Sequence, residues 1–184
     1  MSEDFSRLVS LACHDLRTPL ATIQGFAKTI LRQDELGDPY ARYLAIIDAA
    51  GEELAQLLDV LSIAARIEGG RYDPVLREID SLELARAAVS GATGEGATVE
   101  VDVDAVQRSL AALARAAARH GGVEVSALVA GSEVSIVPVV PEAAPIVLGD
   151  DPKDLGAAVA VRIVRALGGE IVLDGDRLAV TLPG

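Results

Sequence analysis

The sequence predicts an α+β protein in which a helical hairpin precedes a sandwich of strands and helices. Two long segments with helical spacing of apolar residues fill the first third of the chain, and this pattern stops at Glu68-Gly69-Gly70. Strand-like alternation then begins at Val75. A chain of 184 residues is long enough for one or two domains with a core. We therefore predict a hairpin domain over residues 1–70 and an α+β domain over residues 71–184.

The hairpin is predicted from two helices, Glu3 to Gln33 and Pro39 to Glu68. Between them, Gly37 can end the first helix and Asp38 can cap the second. The apolar stripe of the first helix consists of Leu8, Leu11 or Ala12, Leu16, Leu20, Ile23, Ala27 and Ile30. A heptad seam marks the second helix at Ile47, Ala50, Leu54, Leu57, Leu61 and Ala64. Two arms cannot bury both stripes alone, so we predict a homodimer in which two hairpins form a four-helix bundle.

The second half alternates between the two kinds of pattern. The predicted strands are Val75–Ile79, Val99–Val103, a hairpin of Val123–Val129 with Glu133–Val139, and a last hairpin of Glu170–Leu173 with Leu178–Leu182. The predicted helices are Ser81–Val89, with Ser81 as its cap, Asp104–Arg119 and Asp154–Leu167. The glycine-rich stretch Gly91–Gly96 is predicted to be a loop. These elements together make a sandwich of strands and about three helices.

Composition excludes several classes of protein. The 16 basic and 28 acidic residues give a net charge of −12, which argues against nucleic acid as a partner. Cys13 is the single cysteine, so neither a disulfide framework nor a cysteine-rich zinc site is expected. No signal peptide or charge-free stretch of about 18 residues is present, so we predict no membrane segment and a cytoplasmic protein. The chain also contains no asparagine.

One histidine, His14, lies off the apolar stripe of the first helix. Helical spacing puts it on the same face as Thr18, Ala21, Gly25 and Lys28. An exposed imidazole is a good nucleophile near neutral pH, and the adjacent Asp15 could orient the ring or accept its proton. The alternative is a solvated histidine without a function, which is the commoner situation for an isolated histidine.

Pro19 interrupts the same helix five residues after His14. A proline inside a helix costs about 3 kcal/mol and removes one backbone hydrogen bond. It leaves a bend and a freed carbonyl near the histidine. Two small residues on the exposed face, Ala21 and Gly25, would let a second backbone approach closely.

The full string Ser10-Leu11-Ala12-Cys13-His14-Asp15-Leu16-Arg17-Thr18-Pro19-Leu20 resembles the H-box of bacterial two-component histidine kinases. The resemblance continues through residues 21–26 and the segments 57–61 and 65–70. It implies that His14 is the phosphorylated residue, that Asp15 assists phosphoryl transfer and that Thr18 positions water for dephosphorylation of a response regulator. It also implies that response-regulator receiver domains dock on a face formed by Arg17, Ala21, Gly25 and Lys28, which carries no acid.

In that family an ATP-binding domain follows the hairpin, and the resemblance here extends to its scaffold but not to its nucleotide motifs. Ala112 and Ala116 stand where the family has asparagines that hold magnesium and the ATP phosphates. Residues 137–144 contain neither the aspartate nor the glycines of the adenine-contacting motif. Asp154-Leu155-Gly156-Ala157 replaces the last glycine box, and an aspartate there would repel phosphate. His120 is interpreted as structural. We therefore predict a degenerate kinase-type domain that binds no cofactor or metal.

Three functions remain open at this level. The favoured one is a histidine phosphotransferase that relays phosphoryl groups between receiver aspartates through His14, with magnesium supplied by the receiver domain and no ATP. ATP-dependent autokinase activity is disfavoured. The alternatives are a divergent sensor histidine kinase core with autokinase activity, and a non-catalytic pseudokinase or phosphatase that docks a response regulator.

Overall fold

A computed structural model describes residues 3–32, 38–151 and 153–183 of the chain. The chain divides into two compact units, Met1–Gly70 and Arg71–Gly184. Each unit has its own elements and its own buried residues.

The first unit is an antiparallel pair of long helices. Helix α1 spans Glu3–Leu31 and contains Pro19, and helix α2 spans Asp38–Glu68. Their predicted lengths were close to those observed. Of the predicted break at residues 34–39, residues 34–37 lie outside the described residues, and Asp38 and Pro39 begin α2. Cys13 and Leu20 of α1 pack against Leu58 of α2, and all three are buried. Gly51 brings the helices close together, because a Cβ there would lie 2.8 Å from Cγ of Gln24.

The hairpin buries only part of the predicted apolar stripes. Leu20 and Ala27 are buried as predicted, but Leu16 and Ile23 are 53% and 54% exposed. The seam of α2 is also partly open, since Leu54 is 48% exposed while its neighbour Leu58 is buried. These exposures agree with the prediction that two arms alone cannot bury both stripes, and burial of the rest in a four-helix bundle stays a prediction. A pair of helices covers a single stripe on each, and a second apolar stripe on each helix faces outward.

The second unit contains seven strands and four helices within its described residues. Its elements are β1 (Leu76–Asp80), α3 (Ser81–Ala88), β2 (Thr93–Gly96), β3 (Thr98–Asp102), α4 (Val103–Gly121), β4 (Ser126–Gly131), β5 (Glu133–Val137), α5 (Ala144–Val147), α6 (Leu155–Ala166), β6 (Glu170–Asp174) and β7 (Arg177–Thr181). Strands β1 and β3 form an antiparallel pair, and the order of the five-stranded sheet is β2-β4-β5-β7-β6. Only β2 and β4 are parallel in that sheet.

One face of the five-stranded sheet meets the helices and forms the core. Alternate residues of the strands, such as Ile136 and Leu178, are fully buried in it. Helix α4 contributes Leu110 and Leu113 and packs along α6. A helical hairpin followed by an α/β sheet unit is thus the observed architecture.

Three predictions for the second half need correction. The predicted loop Gly91–Gly96 contains edge strand β2, which gives little sequence signal because it is exposed and rich in glycine. Gly94 is required there, since its φ is +127° and a Cβ would collide with the carbonyl of Val129. The four-residue helix α5 was not predicted.

The predicted cap of α3 is also wrong. Asp80, not Ser81, caps this helix, because its Oδ1 accepts hydrogen bonds from the backbone N–H of Leu82 and Glu83. Ser81 is buried instead and donates to the carbonyl of Gly131 at 2.6 Å. Its Oγ also accepts a hydrogen bond from the N–H of Ala97, so it connects α3 to the end of β4 and to the link between β2 and β3.

Candidate functional site

A shallow, open depression of about 550 Å³ lies on one face of helix α1. Its lining residues are His14, Arg17, Thr18, Ala21 and Thr22. Residues three, four, seven and eight positions apart share one face of a helix, so α1 alone brings these side chains together. Four of them were predicted as site residues, and the structure places those four in one depression.

His14 is exposed, while the residue before it is anchored in the hairpin core. Cys13 is 1% exposed and packs with Leu20 and Leu58. Burial raises the pKa of the Cys13 thiol; Arg17 lowers it, and Asp59 raises it further. The anchor fixes which side of α1 faces α2, and therefore turns His14 toward the outside.

Of the other two predicted catalytic residues, the structure describes the side chain of Thr18 but not that of Asp15. Thr18 is exposed within the depression, one turn after His14. Its carbonyl accepts a hydrogen bond from Oγ1 of Thr22 at 3.1 Å. The side chain of Asp15 lies outside the described residues, so its role stays a prediction.

The two basic residues of the predicted docking face are held by acids of α2. Nη2 of Arg17 lies 2.7 Å from Oδ1 of Asp59. Nζ of Lys28 lies 3.0 Å from Glu52 and 3.6 Å from Asp48. The hydrogen bond to Glu52, followed by the charge of Asp48, raises the pKa of Lys28.

The stripe of α1 itself carries no acid, but α2 adds carboxylates beside both of its cations. The predicted docking face is therefore locally close to neutral. Sequence spacing within one helix gives no information on which residues of the other helix lie opposite, so Asp59 could not be predicted. Thr22 could have been found, because it lies eight residues from His14.

The small residues of the predicted docking face lie along the same helix. Ala21 lines the depression and Gly25 lies one turn further, where it is exposed. A Cβ at Gly25 would meet no heavy atom within 4 Å, so open space surrounds it. Gly25 and Lys28 lie outside the depression but continue its face toward the end of α1.

The second unit holds the positions that the resemblance assigns to nucleotide binding. Ala112 and Ala116 of α4 are both buried. Their methyl groups face the packed interior, and a Cβ added at Gly156 of α6 would lie 3.4 Å from that of Ala112. Magnesium requires oxygen ligands, which alanine does not have. These two positions therefore do not fit a magnesium ion.

Asp154 sits between the end of α4 and the start of α6. Its Oδ1 accepts a hydrogen bond from the N–H of Ala157 and caps α6. Its Oδ2 lies 3.4 Å from Arg119 and 3.6 Å from Nε2 of His120. The carboxylate thus has a structural partner on each helix, which agrees with the interpretation of His120 as structural. Across residues 3–32, 38–151 and 153–183, no group of three or more His, Cys, Asp or Glu could hold a metal ion.

Comparison with known proteins identifies the hairpin. Residues 6–70 match the model of the His Kinase A (phospho-acceptor) domain. The sensor protein kinase PmrB of Pseudomonas aeruginosa is 33% identical over 84 residues, which are 45% of this chain and 16% of that protein. The probable sensor histidine kinase TcrY of Mycobacterium tuberculosis is 33% identical over 87 residues, 47% of this chain and 18% of that protein. The histidine protein kinase DivJ of Caulobacter vibrioides is 30% identical over 86 residues, 46% of this chain and 14% of that protein.

The whole fold also has a counterpart among solved structures. Full-length ShkA, crystallised in complex with AMPPNP, superposes with a TM-score of 0.68 at 20% identity, over 96% of this chain and 45% of that one. The hairpin followed by this sheet unit therefore resembles a histidine kinase core in its fold. The matches support a two-component histidine kinase core, and the chain spans less than a fifth of the length of the three curated relatives.

The comparisons overturn the favoured function. A histidine phosphotransferase that works without ATP, with autokinase activity disfavoured, is wrong, because the family match and the three kinase relatives point to a sensor histidine kinase. The prediction gave too much weight to alanine at residues 112 and 116. The chain contains no asparagine anywhere, so its absence at two positions is not specific to a nucleotide site.

No helix within the described parts of the chain is long and apolar enough to cross a membrane.

Proposed function

We propose that the chain is the core of a divergent sensor histidine kinase, in which His14 accepts a phosphoryl group from ATP and passes it to a response regulator. One observation carries this proposal: an exposed histidine lies at an open depression on α1, inside the segment that matches the phospho-acceptor domain. The names of the kinase relatives support ATP as the donor.

The reaction proposed for the hairpin is a nucleophilic displacement at phosphorus. A ring nitrogen of His14 forms the new P–N bond as the P–O bond of the donor breaks, and the ring gives up its proton. We propose that Asp15 accepts that proton. Catalysis of phosphoryl transfer is largely positioning and charge stabilisation, so the residues around the depression matter as much as the nucleophile.

Transfer to the regulator reverses these bonds. The P–N bond breaks and a P–O bond forms to an aspartate of the receiver domain, which docks on the face that includes Arg17, Ala21, Gly25 and Lys28. The small, exposed residues Ala21 and Gly25 favour such a close approach. We propose that the receiver supplies the magnesium ion for this step and that Thr18 positions the water that later hydrolyses the acyl phosphate.

A homodimer through the hairpin completes the proposal. The exposed apolar side chains of the hairpin include Leu16, Ile23 and Phe26 on α1 and Leu54 and Leu57 on α2. Burying a large apolar side chain contributes about 1.5–3 kcal/mol, so a second hairpin would be stabilised strongly by covering them. Pairing of two hairpins gives the four-helix bundle that the heptad seam predicts.

The proposed kinase is divergent in its second unit. It has the kinase-type fold, but the residues at 112 and 116 offer no oxygen ligands, so its donors for ATP and magnesium differ from those that the resemblance implies. Response-regulator receivers as partners, the absence of nucleic acid as a partner and a cytoplasmic location belong to the same proposal.

The test is an autophosphorylation assay with radiolabelled ATP and Mg²⁺, using the whole chain. We expect label on the protein that is lost in acid and stable in base, as phosphohistidine is, and no label on a His14→Gln variant. Addition of a receiver domain should then remove the label from the protein. Wild-type protein that takes up no label from ATP, or a His14→Gln variant that is labelled equally, contradicts the proposed function.

A further inference from the structure

Asp59 belongs to helix α2, yet its carboxylate holds Arg17, a residue of the depression that contains His14. Its Oδ1 accepts a hydrogen bond of 2.7 Å from Nη2 of Arg17. Arg17 lines the same depression as His14 and Thr18, whereas the five residues of that lining all come from α1. Asp59 therefore reaches the site through the guanidinium of Arg17.

The packing of the hairpin fixes this contact. Leu58, the residue before Asp59, is buried against Cys13 and Leu20. Cys13 and Leu20 lie four positions before and three positions after Arg17, so they flank it on α1. This register leaves Asp59 opposite Arg17.

The arrangement suits the stabilisation of a phosphoryl group on His14. Residues three apart on a helix are neighbours on its surface, so Arg17 is within reach of a group on the ring of His14. A guanidinium carries five N–H donors in a planar fork that matches phosphate oxygens, and one hydrogen bond to Asp59 does not exhaust them. An arginine side chain is otherwise free to adopt many rotamers, and a fixed fork loses less entropy when it binds an anion.

We propose that Asp59 is a positioning residue for phosphoryl transfer, which holds the Arg17 guanidinium where it hydrogen-bonds the phosphoryl oxygens on His14. The proposal rests on His14 being the phospho-acceptor. It adds a residue of the second helix to the site and gives the Arg17–Asp59 pair a role beyond joining the two helices. A surface ion pair of this kind contributes little to stability, so a catalytic effect of its loss is separable from unfolding.

The test uses phosphoramidate, which phosphorylates exposed histidines without ATP. In this reaction the P–N bond of phosphoramidate breaks, ammonia leaves, and a P–N bond forms to the ring of His14. The rate of labelling of the whole chain is followed by ³¹P NMR, with His14→Gln to assign the signal. We expect Asp59→Asn and Arg17→Met each to slow labelling about tenfold, the effect of losing one charge-assisted hydrogen bond.

Two further variants separate positioning from a structural role. The double variant R17M/D59N should be no slower than R17M alone, because Asp59 acts through Arg17. Asp59→Glu, which keeps the carboxylate, should recover most of the rate. Asp104→Asn is the matched control, because it breaks the exposed Arg77–Asp104 pair of the second unit and should label at the wild-type rate. Circular dichroism checks that each variant keeps its helices.

The proposal is overturned if D59N labels at the wild-type rate or faster, if the losses of R17M and D59N add, or if D59E is as slow as D59N. It is also overturned if His14 of the wild type labels no faster than His14 of R17M. Because no ATP is present, these outcomes are independent of the autophosphorylation assay. Failure of that assay with an intact Asp59 effect would contradict the proposed kinase function and leave the positioning role standing.

Discussion

The two units of the chain differ in how far they bury their large apolar side chains. In the second unit, Leu110, Ile136 and Leu178 are fully buried in a core between the sheet and its helices. In the hairpin, Leu16, Ile23 and Phe26 are each more than half exposed. The second unit thus closes its own core, whereas the hairpin leaves apolar surface for another surface to cover.

The charged side chains also have different roles in the two units. In the second unit, Asp80, Asp102 and Asp154 each cap a helix and so serve the fold itself. In the hairpin, Arg17 and Lys28 join the two helices by ion pairs and also lie on the proposed docking face. The proposed chemistry therefore lies on the unit that leaves more of its apolar surface exposed.

The largest expected effect concerns the closed core of the second unit. Leu110→Ala should lower the free energy of unfolding of this unit by about 2–5 kcal/mol, because it removes fully buried methyl groups and leaves a cavity. Scanning calorimetry measures the loss as a lower transition temperature. Val172→Ala, at a 46% exposed strand position, is the control and should change stability by less than about 0.5 kcal/mol. Equal effects of the two variants would contradict a core closed around α4.

The next effect concerns the open surface of the hairpin. Leu54→Lys places a charge on the exposed seam of α2 and should raise the dissociation constant of the homodimer at least tenfold, or about 1.4 kcal/mol. Analytical ultracentrifugation over a range of concentrations measures this constant. Val172→Lys is the matched control, because Val172 and Leu54 are 46% and 48% exposed.

The two lysine variants test whether the exposed apolar surface of the hairpin, and not that of the second unit, forms the dimer interface. If Leu54→Lys leaves the dimer intact, or if Val172→Lys weakens it equally, then the apolar surface of the hairpin is not the dimer interface.

How far the sequence predicts the fold depends on how local the signal is. The hairpin helices and the strands of the main sheet follow from periodicity, which depends only on neighbouring residues. Edge strand β2 does not, because Thr93–Gly96 is exposed and its pairing with β4 is a long-range contact. The cap of α3 was misplaced by one residue because Asp80 and Ser81 are both good caps, and only burial of Ser81 distinguishes them.

The candidate site shows the same limit. His14, Arg17, Thr18 and Ala21 were predictable, because one helix sets their relative positions. Asp59 was not, because it reaches the site through the register of α2 against α1. The enzymatic activity was misjudged for another reason. A missing residue type says which ligands are absent, but it does not say which other groups replace them.

The smallest expected effect is a pH dependence of the hairpin. Burial raises the pKa of Cys13 above its ordinary value of 9.0, so the unfolded chain loses this proton first. The contribution to stability is therefore complete below pH 9.0 and is lost as the pH rises through the higher folded pKa. Cys13→Ala should remove this part of the pH dependence in thermal unfolding followed by circular dichroism. If Cys13→Ala and the wild type lose thermal stability equally as the pH rises above 9.0, the burial of the thiol is contradicted.

The proposed function requires that His14 takes its phosphoryl group from ATP. The most direct measurement is ³¹P NMR of the whole chain incubated with Mg²⁺ and ATP, compared with His14→Gln. We predict a phosphohistidine resonance in the wild type that is absent from the variant, together with the signals of ADP. A wild-type protein that leaves ATP unchanged and shows no such resonance, or a variant that shows the same resonance, would contradict the account.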